Sequence, residues 1–478
     1  MLTATHLLAL MPVILVAATV LVVMLGIAWR RRHTPAALVT AAGLGLSLLA
    51  LLLVSPMAPI ETPLMVIDGL ALFAMTWILL AALASIGLAH AYLGGFAGPR
   101  EEFYLLLLSA TTGAMVLVAS RHLATLFLGL ELLSMPLYGM LAYAFHERRS
   151  LEAGIKYLVL SAAGTAFLLF GMALLYAQSG RLDLAGLAAS LVEPGVWALS
   201  GAALMLVGLG FKLSIVPFHL WTPDVYEGGP APAVMFLASV SKLAVFVVLL
   251  RLVLAVPAFQ GLEGVMGALA LISMLVGNLL ALAQSNLKRL LAYSSIAHFG
   301  YLLVALAVVN GATLETGMVY LVTYLVATLG ALGVITLMST PWRGEEATAL
   351  HEYRGLFWRR PFLAGVLTVC LLSLAGIPPT IGFIGKFYII ALGVEAERWW
   401  LVAGIVLGSA IGLYYYLRVL VTLYLPGPRM PRFDAPEDWH RRAGGLVVVG
   451  LALLVLLLGV YPIPLIESLE WVMAMKRA

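Results

Sequence analysis

Long apolar runs, separated by short polar segments, fill the chain from end to end. Most runs continue for about twenty residues without two-residue alternation, which is the length that an α-helix needs to cross a bilayer and argues against a strand barrel. The pattern predicts an all-α, polytopic membrane protein with about fourteen transmembrane helices. Their predicted limits are 7–29, 35–54, 69–93, 103–120, 122–145, 152–178, 196–220, 231–255, 261–284, 288–309, 313–339, 361–392, 399–424 and 443–461.

Composition agrees with this pattern, since 63% of the 478 residues are hydrophobic and only 10% are charged. Such a chain cannot be a soluble globule. The net charge of +4 does not suggest a nucleic-acid partner, because the basic residues occupy short loops. There is no glycine-rich phosphate loop, cysteine cluster or zinc-ligand spacing, and the single cysteine, Cys370, lies in an apolar run. We therefore expect no metal and no cofactor bound by this chain, and any redox chemistry in other chains.

The basic residues also predict an orientation. The cluster Arg30–Arg32 follows the first apolar run, the reverse of a secretory signal peptide, so this run is expected to be a retained span. If that cluster is cytoplasmic, the loops on its side also carry Arg148, Arg149, Lys288, Arg289, Arg343, Arg354, Arg359, Arg360, Arg429, Arg432, Arg441 and Arg442. The opposite loops hold Arg121, Arg181, Arg251, Arg398, Lys476 and Arg477. The positive-inside rule then places both termini outside the cytoplasm.

Two lysines stand in apolar runs within the stretch 208–242. A lone ammonium at the bilayer centre costs roughly 3 kcal/mol, so Lys212 and Lys242 are expected to face a partner or a wet cavity. Pro217 follows Lys212 by five positions and predicts a helix break, which is tolerated at membrane depth where protein or water satisfies the freed polar groups. The alternative is that both lysines reach toward an interface.

Glu131 is a carboxylate flanked by leucines in the fifth run. Two isolated buried charges would each be costly, so we expect Glu131 and Lys212 to approach within hydrogen-bonding or one-water distance. The alternative is a static pair that only fixes helix packing.

Lys156 lies about one turn inside the sixth run and is a possible proton-transfer residue. Glu152 precedes it by four positions, so the alternative is an ordinary contact on one helical face at the interface.

A polar stripe is predicted in the tenth run, and His298 is its possible proton-transfer residue because imidazole titrates near neutral pH. A histidine that only packs through hydrogen bonds is the alternative. The stripe consists of Ser294, Ser295, His298 and Tyr301.

A second broken span is predicted where Gly376, Pro378 and Pro379 interrupt the twelfth run, and Lys386 follows seven positions after the second proline. Paired interrupted segments are typical of transporters built from inverted repeats. We expect two inverted five-helix repeats. The resulting division is a three-helix N-terminal segment, two antiporter-like repeats and a final helix with a tail, at 1–102, 103–255, 256–424 and 425–478.

Five longer motifs combine these features. They are EFYLLLL at 102–108, LFLGLELLSMPLYG at 126–139, FKLSIVPFHLWTPDVYEGGPAP at 211–232, NLKRLLAYSSIAHFGYLL at 286–303 and SLAGIPPTIGFIGKFY at 373–388. With these motifs the chain resembles, along nearly its whole length, the antiporter-like membrane subunits of respiratory NADH:quinone oxidoreductase, complex I.

The resemblance implies one proton-translocating, non-redox subunit of that translocase, driven by quinone reduction elsewhere in a bacterial inner membrane. It implies Glu131 and Lys212 as a coupled pair, Lys242 as the central relay and Lys386 toward the outer exit. NADH, flavin, iron–sulfur clusters and quinone would belong to partner subunits of complex I. The rival functions are a subunit of a cation/proton antiporter complex, which has no redox partner, and a passive scaffold.

Overall fold

The computed structural model describes residues 3–96, 98–339, 346–427, 433–436 and 438–477. Three of the arginines used for the predicted orientation, Arg343, Arg429 and Arg432, lie outside the described residues. The described chain is a bundle of helices with one short antiparallel hairpin, which confirms the predicted fold class.

The N-terminal part contains four helices and the hairpin, formed by β1 (Ile60–Glu61) and β2 (Val66–Ile67). Asp68 caps the fourth helix, because its carboxylate accepts a hydrogen bond from the Ala71 backbone N–H at 2.8 Å. The helices are α1 (Ala4–Ala9), α2 (Met11–Trp29), α3 (His33–Val54) and α4 (Gly69–Gly94).

The middle of the chain folds into eight helices, and a π-helical turn, Leu237–Ser241, immediately precedes the last of them. The helices are α5 (Glu102–Val118), α6 (Leu123–Leu141), α7 (Arg148–Ser179), α8 (Leu184–Ser190), α9 (Val196–Leu213), α10 (Trp221–Gly228), α11 (Ala231–Phe236) and α12 (Lys242–Ala255). The predicted span 196–220 is therefore helical only to Leu213, because Pro217 prevents its continuation.

The remaining helices include the second interrupted pair, since the predicted span 361–392 is divided between α18 and α19. They are α13 (Pro257–Gln260), α14 (Glu263–Leu282), α15 (Leu287–Ala307), α16 (Thr313–Met338), α17 (Leu356–Arg359), α18 (Pro361–Ala375), α19 (Ile381–Glu395), α20 (Trp399–Tyr424), α21 (Ala443–Val460) and α22 (Ile463–Arg477). Short 3₁₀ turns lie at Ser55–Met57, Leu350–Tyr353 and Trp439–Arg441.

Within the described chain, twelve helices are long and apolar enough to cross a membrane, and α5 and α18 are shorter apolar helices. The most apolar windows of Ala231–Ala255 and Thr313–Met338 are buried throughout, and that of Leu287–Ala307 almost throughout. These three segments therefore form the centre of the bundle, where a charged side chain cannot face lipid. The predicted number of about fourteen spans stays a prediction, because α5 and α18 fall short of a full crossing length.

The C-terminal part of α12 is tied to the start of α4 by a bidentate ion pair. Arg251 donates from its two terminal nitrogens to the Asp68 carboxylate at 2.8 and 2.5 Å, and its Nε donates to the Val118 carbonyl at 2.9 Å. Burial acts to raise the pKa of Asp68, but the Arg251 charge and the hydrogen bonds outweigh it and hold this pKa below its usual value. The carboxylate is therefore ionised at neutral pH.

We expect Asp68→Asn to destabilise the protein by about 2 kcal/mol, because it leaves a mostly buried guanidinium without its counter-charge. Since the folded-state pKa of Asp68 is lowered, the pair stabilises the wild type above the ordinary aspartate pKa, and this contribution is lost as the pH falls through the lowered value. Thermal unfolding at neutral and acid pH checks both statements. Asp438→Asn breaks the exposed Asp438–Arg442 pair and should change the unfolding temperature little.

Candidate functional site

The first helix break lies at the end of α9. Ser214 takes a left-handed conformation, with φ 65°, and helical structure resumes at Trp221. In a continuous helix the Leu213 carbonyl would accept a hydrogen bond from residue 217, but Pro217 has no N–H to donate. Other elements satisfy part of the broken backbone, since the Val216 N–H donates to Ser273 Oγ at 3.0 Å. The break therefore leaves the Leu213 carbonyl free to accept a hydrogen bond from another donor.

Lys242 donates to that carbonyl. It is fully buried at the start of α12, directly after the π-helical turn, and its Nζ lies 3.4 Å from the Leu213 oxygen. The same Nζ donates to Ser295 Oγ at 2.6 Å and lies 4.9 Å from the centre of the Phe299 ring. A buried ammonium is thus held by a backbone carbonyl, a hydroxyl and an aromatic face, with no carboxylate partner among the described residues.

Lys212 occupies a separate hydroxyl-lined position on α9. Its side chain is buried, and its Nζ donates to Ser134 Oγ on α6 and to Ser161 Oγ on α7, each at 2.6 Å. The Tyr138 hydroxyl joins this group through Ser161 at 2.7 Å. The Tyr157 ring centre lies 5.3 Å from Nζ. Lys212 therefore does not reach an interface, which removes the alternative of a snorkelling side chain.

Glu131 does not contact Lys212 directly. Of the two separations that we expected, hydrogen-bonding distance is wrong and one-water distance stays a prediction. Its Oε1 accepts from Thr165 Oγ1 at 2.9 Å, and no ion pair joins Glu131 and Lys212 in the part of the chain that the structure describes. Thr165 follows Ser161 by one helical turn on α7, so hydroxyl groups of that helix stand between the carboxylate and the ammonium. The two charged groups therefore lie in one polar region, and each forms hydrogen bonds with hydroxyl groups and not with the other charged group.

The second break repeats the geometry of the first. α18 ends at Ala375, Gly376 has φ 82°, and α19 starts at Ile381. The Ala375 carbonyl would accept from residue 379 in a continuous helix, but Pro379 has no N–H. Lys386 donates to this freed carbonyl at 2.7 Å. Each broken helix therefore offers a proline-freed carbonyl to one buried lysine, Lys242 at the first break and Lys386 at the second.

The polar stripe on α15 extends between these two lysines. Ser295 Oγ accepts from Lys242 and from the Tyr324 hydroxyl at 2.8 Å. His298 shares hydrogen bonds with the Tyr320 hydroxyl through Nδ1 at 2.7 Å and with the Tyr416 hydroxyl through Nε2 at 3.2 Å.

At the other end of the stripe, the Tyr301 ring centre lies 5.4 Å from Lys386 Nζ. Tyr301 also accepts a hydrogen bond from Asn278 Nδ2 at 2.9 Å. Titratable and hydroxyl side chains thus run from the first break to the second through the buried centre of the bundle.

Lys156 lies apart from this row. Its ammonium contacts Glu152 at 2.6 Å and Asp224 at 2.7 Å, and its side chain is 38% exposed. Arg289 contacts the same Asp224 carboxylate at 2.8 Å. Burial acts to raise the pKa of Asp224, but hydrogen bonds and the charges of these two cations hold it below the usual value. Lys156 is therefore part of an ion-pair network at one end of the bundle, which includes the one-face contact with Glu152.

Sequence reasoning missed a buried ion pair near this network. The Lys288 side chain is fully buried and contacts Glu346 at 2.6 Å, while Glu346 also accepts from the Tyr92 hydroxyl at 2.6 Å and the Ala231 N–H at 2.7 Å. The sequence pattern places Lys288 only among the basic residues between apolar runs, and Glu346 follows a polar stretch of sequence with no periodic signal. In the described residues, no group of three or more His, Cys, Asp or Glu side chains is placed to hold a metal ion.

Comparisons with known proteins agree on one family. Residues 120–412 match the model described as NADH:quinone oxidoreductase/Mrp antiporter, TM. The chain is 64% identical over 474 residues to the NADH-quinone oxidoreductase subunit N of Chromohalobacter salexigens, covering 98% of this chain and 100% of that protein.

Solved structures give the same result. A chain of respiratory complex I from Thermus thermophilus superimposes with a TM-score of 0.83 at 34% identity, covering 95% of this chain and 98% of the other. A chain of the Mrp complex from Dietzia sp. DQ12-45-1b reaches a TM-score of 0.86 at 22% identity, covering 98% and 97%, and shows a shared fold. This chain therefore belongs to the NADH:quinone oxidoreductase/Mrp antiporter family of membrane subunits, in the branch of the subunit N proteins.

Proposed function

We propose that this chain is a proton-translocating membrane subunit of a bacterial NADH:quinone oxidoreductase. The observation that carries the proposal is the buried row of titratable side chains that starts at Lys212, passes Lys242 and His298, and ends at Lys386. Two of its lysines are bound to carbonyls that Pro217 and Pro379 leave free. Buried charges with this arrangement are costly, and they mark ion or proton paths in membrane proteins.

Each titratable residue has a proposed role in this path. Glu131 and Lys212 form an electrostatically coupled pair through intervening hydroxyls, Lys242 is the central relay, and Lys386 leads toward the outer exit. His298 is a candidate relay because both ring nitrogens have hydroxyl partners. Lys156 remains a possible proton-transfer residue at the charged end of the bundle, with the weakest support because it is exposed and paired with two carboxylates.

Coulomb coupling supplies a physical basis for movement along the row. A proton that arrives at one group changes that group's charge, and this change shifts the proton affinity of its neighbours. The interaction is stronger between buried groups than in water because the surroundings screen charge less. A lysine held by neutral carbonyl and hydroxyl groups, rather than by a carboxylate, can lose its proton without leaving an unpaired negative charge.

The two breaks support a division into repeats. We propose that residues 103–255 and 256–424 form two inverted antiporter-like repeats, preceded by the segment 1–102 and followed by 425–478. The equivalent proline-to-carbonyl-to-lysine geometry at Leu213 and Ala375 supports this pairing. We propose further that the protein lies in the bacterial inner membrane with both termini outside the cytoplasm, as the distribution of basic loops favours.

The partners follow from the same proposal. The chain is a subunit of an NADH-quinone oxidoreductase complex and contacts other membrane and peripheral subunits of that complex, together with lipid. NADH, flavin, iron–sulfur clusters and quinone would be bound by those partner subunits. The subunit contributes proton movement to the translocase, and the redox chemistry takes place elsewhere.

The competing function is that of a subunit in a cation/proton antiporter complex, which the shared fold with the Mrp complex chain keeps open. Purification of the tagged chain from its native membrane distinguishes the two. We expect flavin and iron–sulfur absorption, and NADH oxidation, to co-purify with the chain in constant ratio. Purification with several membrane subunits but without redox centres would instead support the antiporter complex.

A further inference from the structure

Two tyrosines that the proposed path does not yet use lie beside its first two lysines. Tyr157 on α7 and Tyr226 on α10 are both fully buried. Within the described part of the chain, neither phenol oxygen has a hydrogen-bond partner. Unpaired buried hydroxyls are rare because they lose their hydrogen bonds to water without replacement. The groups that surround these two hydroxyls therefore indicate what the hydroxyls can bind.

Aromatic packing fixes the orientation of Tyr157. Its ring centre lies 4.8 Å from that of Trp221 and 5.4 Å from that of Tyr138, while Lys212 Nζ lies 5.3 Å from the ring. The Tyr157 hydroxyl lies near Ser241, the residue directly before Lys242. The ring thus lies against Lys212, and the hydroxyl lies near the start of the helix that carries Lys242.

Tyr226 lies beside the second lysine. Its ring centre lies 5.7 Å from Lys242 Nζ. Its hydroxyl lies near Ser295, which binds Lys242, and near Tyr324, which donates a hydrogen bond to Ser295. The two rings therefore lie beside the region between the lysines, Tyr157 next to Lys212 and Tyr226 next to Lys242.

That region is where the hydrogen-bonded row is interrupted. Lys212 binds Ser134 and Ser161, whereas Lys242 binds Ser295, and no side-chain hydrogen bond among the described residues joins the two groups. We infer that Tyr157 and Tyr226 are positioning residues for proton transfer between Lys212 and Lys242, and that their hydroxyls bind the water molecules that bridge the two lysines. This inference rests on the proposed function.

The transfer changes only N–H and O–H bonds. One lysine, as ammonium, gives up a proton and becomes an amine. Each bridging water or hydroxyl accepts one proton as it releases its own. The other lysine gains one N–H bond and becomes an ammonium. The balance holds in either direction and requires no oxidant or reductant.

The test uses the whole complex assembled with Tyr157→Phe or Tyr226→Phe, which keep the rings and remove the hydroxyls. We expect each variant to lower NADH-driven proton pumping per assembled complex by roughly fivefold, the rate factor that one lost hydrogen bond represents. The solvent deuterium isotope effect on pumping should increase in both. Tyr176→Phe, on the same helix as Tyr157 but half exposed, should match the wild type.

Wild-type pumping and isotope effect in both phenylalanine variants would overturn the inference. Less assembled complex with unchanged pumping per complex would also overturn it, because that result shows a structural role. Lys242→Ala in the same preparations distinguishes a failure of the role given to the tyrosines from a failure of the proposed path. If Lys242→Ala stops pumping while the phenylalanine variants pump fully, the proposed function stands and the role of the tyrosines falls. If Lys242→Ala pumps fully, Lys242 is removed from the proposed path, and the role of the tyrosines falls with it.

Discussion

Lys242→Ala should lower NADH-driven proton pumping and coupled quinone reduction by about tenfold or more, equivalent to ~1.4 kcal/mol or more in the barrier. The substitution removes the amine that binds both the Leu213 carbonyl and Ser295, and with it the titratable group between Lys212 and the stripe on α15. Assembly should be largely retained, because removing a buried charge also removes its desolvation penalty. Pumping in inverted membrane vesicles, normalised to the content of assembled complex, measures this effect.

Lys242→Met is the control for volume, since it fills the space of the lysine side chain without a titratable group. It should pump as poorly as Lys242→Ala and assemble at least as well. Full pumping by either variant would remove Lys242 from the path.

Gly382→Ala should sharply reduce the amount of assembled complex. A Cβ atom at this position would clash with the Ser373 carbonyl oxygen, so α19 and α18 would have to separate at the second break. Overpacking of this kind costs about 1–3 kcal/mol, and here the contact is with backbone, which cannot rotate away. The displacement would also disturb the bond from Lys386 to the Ala375 carbonyl. Complex that does assemble should therefore pump less per molecule.

Gly365→Ala is the matched control, because this glycine lies in α18 and a Cβ atom there meets nothing within 4 Å. Alanine is the better helix former by about 1 kcal/mol, so this variant should assemble at least as well as the wild type. The amount of assembled complex on native gels, measured for both variants, tests this prediction. Equal assembly of Gly382→Ala and Gly365→Ala would show that the close approach at the second break is not required.

The sequence was sufficient to predict the elements with the strongest physical signals. Runs of apolar residues can satisfy their backbone in a bilayer only as helices, so most spans could be placed within a few residues of the observed helices. The exceptions are 196–220 and 361–392, where the helix is broken. Lysines in such runs are costly, which singled out Lys212, Lys242 and Lys386. Pro217 and Pro379 predicted where helical hydrogen bonding stops, because a proline cannot donate to the carbonyl four residues before it.

The partners of these lysines could not be predicted in the same way. Ser134 and Ser161 resemble helix residues that bond back to their own backbone, as Ser134 also does with the Leu130 carbonyl. Nothing in their spacing shows that they face Lys212, and the carboxylate of Glu131 was the more obvious partner. Glu346 lies in a loop, and the π-helical turn before Lys242 has no local sequence signal. These features depend on how separate helices pack.

The central claim is that buried lysines carry protons and do not merely hold helices together. The ratio of protons pumped to NADH oxidised, measured in proteoliposomes containing the complex with Lys242→Arg, tests this most directly. Arginine keeps the positive charge and can still donate to the Leu213 carbonyl, but a guanidinium stays protonated at physiological pH. The proton path predicts that the ratio falls well below the wild-type value in assembled complex, whereas a wild-type ratio in Lys242→Arg would contradict it.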